Sequence, residues 1–163
     1  MPPLLACPSC KGVFPAIDGP VHHYMTSSPG CWAAYGEVLA REYSDPALAG
    51  VHRLSVDTYA VQHPGDRSRQ AIQSVGLHLV RLCMLLERGL PPDHANDAML
   101  TAARHKSQFT WLERPASFGS ITVADVRATS NAHSHAATVR AWTHDAWQAW
   151  AQHHALVRQW AEA

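Results

Sequence analysis

At 163 residues the chain has room for one domain with a proper core and too little for two. Thirteen Lys and Arg balance thirteen Asp and Glu, which removes the general electrostatic case for nucleic acid or an anionic membrane as partner. Against a charged fraction of only 16%, the twelve His and six Trp stand out.

No apolar run approaches the roughly 18 residues that suggest a membrane span. The opening Met1-Pro2-Pro3-Leu4-Leu5-Ala6 lacks the basic segment of a secretory signal. Without such a signal, Cys7-Pro8-Ser9-Cys10 reads as metal binding in a reducing compartment rather than as half of a disulfide framework. The expectation is a soluble cytoplasmic protein whose partner is a small molecule or another protein, with neither nucleic acid nor membrane involved.

The first chemical signal is that cysteine pair. Two cysteines separated by two residues, with Lys11-Gly12 following, have the form of a metal knuckle, whose tight turn aims both sulfurs at one point. Residues 11–30 are rich in Gly, Pro, Ser and Asp and favour turns; a loop of this length needs a tether, which a metal would supply. Ser28 can cap a helix with Pro29 in its first position, and Trp32, Tyr35, Val38 and Leu39 recur at helical spacing. Cys31 then falls in the first helical turn, where free N–H groups and the positive dipole end favour a thiolate. Four ligands complete a tetrahedral zinc site: Cys7, Cys10 and Cys31, with His22 or His23 from the loop between them.

Ser44-Asp45-Pro46 breaks the first helix, and Leu54 to Gln62 fits either a short helix or an extended piece. His63-Pro64-Gly65 marks a junction, since proline disfavours the α region for the residue before it. Asp66 or Ser68 can cap the most regular helix, with Ile72, Val75, Leu79, Leu82 and Leu86 as its stripe and His78 beside it facing inward; Gly89 and Pro91-Pro92 end it. A weaker helix runs from Pro92 to about Arg104, and residues 107–120 form a connector with Phe109, Trp111, Leu112 and Phe118 for docking. Ser120 to Val123 carries the one brief strand signal, while Thr122 and Asp125 have capping-box spacing. The helical pattern weakens near Asn131, with His133 and His135 at the break, and a single long helix is expected from about Ala136 to the end.

Inward histidines are ordinarily core residues satisfied by hydrogen bonds, and no His-x-x-x-His or His-Glu-x-x-His pair is present. The catalytic alternative is a pocket centred on His63 and His78, joined by Asp57, His133, His135, His153 or His154. Cys83, within Leu82-Cys83-Met84-Leu85, reads as a small apolar core residue, and the C-terminal tryptophans as core packing.

Cys7-Pro8-Ser9-Cys10, Phe14-Pro15-Ala16-Ile17-Asp18-Gly19-Pro20, Ser28-Pro29-Gly30-Cys31-Trp32, Tyr59-Ala60-Val61-Gln62-His63-Pro64-Gly65 and Gln73-Ser74-Val75-x-x-His78-Leu79 together resemble a small bacterial family of uncharacterised proteins. The likeness extends through most of the chain to His153-His154. It implies that the cysteine stretch and the His63 turn belong to one recurring design, and it favours His22 over His23 as the fourth ligand. It carries no activity with it.

The expected fold is mostly α: a bundle of about five helices over 32–163, with an N-terminal zinc-knuckle loop over 1–31, in a single domain. The expected function is that of a zinc-binding intracellular binding or accessory protein, with a structural metal on Cys7, Cys10, His22 and Cys31. The alternatives are a metal-dependent enzyme acting on a small molecule through His63 and His78, and a redox or metal sensor.

Overall fold

The computed structural model describes residues 1–163, and it is mostly helical. Seven α-helices accompany one small hairpin. The hairpin pairs β1 (Leu4–Ala6) with β2 (Val13–Pro15) antiparallel, Leu5 opposite Phe14. Its turn is the cysteine knuckle, closed by Cys7 N–H donating to Gly12 O and Lys11 N–H to Cys7 O, with Lys11 left-handed at φ 64°. Only three residues pair on each side, which is why hydrophobic alternation in the sequence gives little warning of these strands.

Helix α1 (Pro29–Ser44) starts as its sequence dictates: Ser28 Oγ accepts from Cys31 N–H at 3.1 Å and Pro29 takes the first turn. Cys31, Ala34, Tyr35, Val38 and Glu42 form its buried stripe. Asp45 ends it and caps a 3₁₀ turn, Pro46–Val51, that leads into α2 (His52–Gln62). The ambiguous Leu54–Gln62 stretch is therefore helical. Its pattern misleads because α2 lies centrally, with Ser55 and every residue from Asp57 to Gln62 buried, so no polar face exists to reveal a helical period.

α2 packs on α3 (Arg69–Leu82) and α6 (Ala132–Ala149) and touches α1. Ser68, not Asp66, caps α3, which continues into one π-helical turn, Cys83–Glu87. The stop follows at Gly89, which adopts φ 62° as a residue without Cβ readily does. α4 (Pro92–Ala103) returns along α3. The 107–120 connector docks through Phe109 and Leu112, and α5 (Val123–Arg127) opens with the full capping box of Thr122 and Asp125. Ser120 and Ile121 form no strand; their N–H groups donate to Asp145 Oδ2.

The C-terminal region corrects two expectations. α6 begins at Ala132, because Asn131 Oδ1 accepts from Ser134 N–H; the apparent weakening was the cap itself, so His133 and His135 lie inside the first helical turns. The single long helix is broken at Trp150, where a 3₁₀ turn, Ala151–His153, separates α6 from α7 (His154–Glu162). The break lets the Trp150 indole donate to Val61 O while α7 turns to pack on α3 and α4.

Two buried clusters result, and α2 supplies both: Tyr59 to the one containing the three N-terminal cysteines, Val61 to the one containing Trp147, Trp150 and Trp160. Cys83 lies in the second, as a buried core residue. No helix is long and apolar enough to cross a membrane.

Candidate metal centre

Three elements converge on one point. The knuckle brings Cys7 and Cys10, the first turn of α1 brings Cys31, and the C-terminus of α2 brings His63; all four residues are buried and their ligand atoms lie within 4.8 Å of one another. Cys10 Sγ is 3.9 Å from Cys31 Sγ, and Cys31 Sγ is 3.3 Å from His63 Nε2. Cys10 and Cys31 are not disulfide-bonded, since a disulfide brings its sulfurs to about 2.05 Å. The group can hold a metal ion.

The backbone fixes His63 for this role. Pro64 follows it, and His63 leaves the helix at φ −128°, ψ 55°. Its ring stacks on Tyr59, with centroids 3.8 Å apart, and its Nδ1 lies 2.7 Å from Tyr59 O. A carbonyl can only accept, so Nδ1 carries the proton and a neutral ring presents its lone pair at Nε2 toward the sulfurs. Tyr59 also sets its hydroxyl 3.4 Å from Cys31 Sγ, and Tyr35 stacks on Tyr59 at 3.9 Å. Such outer partners orient ligands and exclude water.

Burial and mutual hydrogen bonding set the three thiols apart. Hydrogen bonds from Cys10 and Cys31, reinforced by His63, pull the Cys7 thiol far below its usual range. Cys10, although drawn down by its contact with Cys31, is pushed up to about 12 by donating to Cys7, by burial and by the Cys7 charge. Cys31 is driven up strongly by donating to Cys10 and Cys7 and by burial. Closely packed buried thiols disfavour more than one negative charge, and a divalent ion would offset such charge. The Gly12 backbone lowers the Cys10 thiol slightly, the influence expected of a knuckle.

His22 lies outside this group. Its Nδ1 accepts from Tyr24 N–H, and its ring packs against His23, Tyr24 and Trp32 at the protein surface. The fourth member of the buried group is instead His63, 32 positions after Cys31, because α2 ends on top of the knuckle. Sequence proximity pointed to the loop that carries His22. The available signal was His63-Pro64 itself, a histidine held at a helix end four residues after a tyrosine.

Nor do His63 and His78 share a pocket. His78 Nδ1 lies 2.7 Å from Asp57 Oδ1, and the cleft it lines does not include His63. Of the other imidazoles, His52, His135, His153 and His154 hold packing contacts. His135 Nε2 meets Glu42 Oε2 at 2.8 Å, while His52 and Ser55 hold the same carboxylate. His154 stacks on Trp147, His153 bonds Glu113 O, and His133 joins no such contact.

No curated protein and no solved structure matches the chain. The model of a family of unknown function, DUF5946, covers residues 5–151, and Cys7, Cys10, Cys31 and His63 lie wholly inside that span. The chain therefore belongs to the DUF5946 family.

Proposed function

We propose that Cys7, Cys10, Cys31 and His63 bind one zinc ion as a structural clamp, and that the chain acts as a binding or accessory protein built on it. The observation that carries this reading is the convergence of three cysteines and one preoriented, Nδ1-protonated histidine in a buried cluster. In a tetrahedral site with Zn–S of about 2.3 Å, neighbouring sulfurs stand about 3.8 Å apart, which the 3.9 Å between Cys10 and Cys31 matches. Soft thiolates with one imidazole suit zinc among the common divalent ions. Activation of water at the metal would need an open coordination position, and four protein ligands fill the tetrahedral set.

The ligands belong to the hairpin, to α1 and to α2, so the ion would fasten a hairpin with little apolar anchorage of its own to the two helices beside it. Its binding free energy is then folding free energy. Purified protein should contain one zinc per chain, Cys7→Ser and Cys31→Ser should lose it, and chelation should lower the melting temperature. A melting curve that chelation leaves unchanged contradicts the proposal.

A further inference from the structure

A second constellation lies away from the cysteines. Asp57, fully buried in the middle of α2, is gripped by Arg81 of α3, whose Nε and Nη2 reach Oδ1 and Oδ2 at 2.7–3.0 Å; Arg81 is steadied in turn by Asn96 of α4. The guanidinium already satisfies and neutralises the carboxylate. His78 is thus not needed to balance a buried charge, yet its Nδ1 lies 2.7 Å from Asp57 Oδ1.

That contact determines the ring's chemistry. A carboxylate held by Arg81 accepts, so His78 Nδ1 donates and Nε2 keeps a lone pair. Nε2 has no hydrogen-bond partner in the chain, and the side chain, 15% exposed, lines a cleft of about 320 Å³. The remaining walls are Tyr24, Gln70, Gln73, Ser74, Leu77 and Met99. They offer amide, hydroxyl and apolar surface with no charged side chain, which suits a neutral ligand and gives an anion nothing to pair with.

We propose that this cleft binds a small neutral molecule bearing a hydroxyl group, and that His78 Nε2 accepts a hydrogen bond from that hydroxyl while Asp57 acts as a positioning residue by fixing the tautomer.

The test uses the full-length, zinc-loaded protein labelled with ¹⁵N, and phenol as the probe. Long-range ¹H–¹⁵N correlation of neutral His78 should show the proton on Nδ1, and phenol should shift the Nε2 resonance saturably. Ser74→Trp, which fills the cleft without touching the Asp57–Arg81 pair, should weaken the phenol response by ~tenfold or more. His78→Gln, with phenol binding followed through the Tyr24 side-chain resonances, should weaken it likewise. A proton on Nε2, the absence of a saturable shift, or an equal response in Ser74→Trp overturns the proposal. Because Asp57→Asn can unfold the chain by leaving Arg81 unpaired, the wild-type tautomer and the Ser74 variant decide the matter.

Discussion

His63 shows how much rests on the placement of one side chain. It gains a fixed tautomer from Tyr59 O, a stacking partner from the Tyr59 ring and a departure from helical geometry enforced by Pro64. Under the zinc reading, His63→Ala empties a corner of the site and should cost ~4 kcal/mol or more, as loss of a structural metal does. For a chain of this size that lowers the melting temperature by roughly 8–16 °C. His22→Ala, by contrast, should retain one metal per chain and nearly the wild-type melting temperature. Metal analysis and calorimetry on the two variants check both statements. Cys7, Cys10 and Cys31 were legible because knuckle spacing and a capped helix start are local patterns. The approach of His63 to them was not, since what brings it there is the packing of α2 over the knuckle.

At the scale of elements, the docking of the hairpin on α1 depends on a close approach at Gly30. A Cβ there would collide with Pro15 O and sit 2.9 Å from Phe14 Cβ, so the first turn of α1 accepts β2 only without a side chain. Gly30→Ala should destabilise by about 1–3 kcal/mol, the usual cost of overpacking, and should weaken metal retention because it displaces Cys31 relative to the knuckle. Competition with a chelator measures the second effect. The π-helical turn after α3 carries a smaller contribution: Arg158 of α7 reaches Glu87 at 2.7 and 2.8 Å and, as the largest cause, holds its carboxyl below the usual range. A folded-state value below the unfolded one stabilises at and above the ordinary carboxylate range and is lost as pH falls through the lowered value. The melting-temperature deficit of Glu87→Gln relative to wild type should therefore be small at neutral pH, because the pair is exposed, and should shrink as pH falls below the ordinary carboxylate range and through the lowered value. Helix starts proved readable where a side-chain cap announces them, as at Ser28, Ser68 and Thr122. The break at Trp150 was hidden, because a tertiary bond to Val61 O fixes it and the apolar periodicity runs on through it.

Across the whole molecule, α2 unites the two features that matter. Its C-terminus delivers His63 to the cysteines, its middle delivers Asp57 to Arg81 and His78, and Gln62 between them accepts from the Trp142 indole and donates to Phe118 O and Ile121 O. The buried C-terminal half of α2 tolerates these polar groups because each is paired. The expectation of a mostly helical fold held, since most helices show their stripe and cap in the sequence; the central helix showed neither. The proposed metal clamp would tie the hairpin and α1 to this helix. Zinc K-edge X-ray absorption of the purified protein tests it most directly. The account predicts three sulfur ligands at about 2.3 Å and one nitrogen at about 2.0–2.1 Å. Fewer than three sulfurs, an additional oxygen ligand, or protein that takes up no zinc would contradict it.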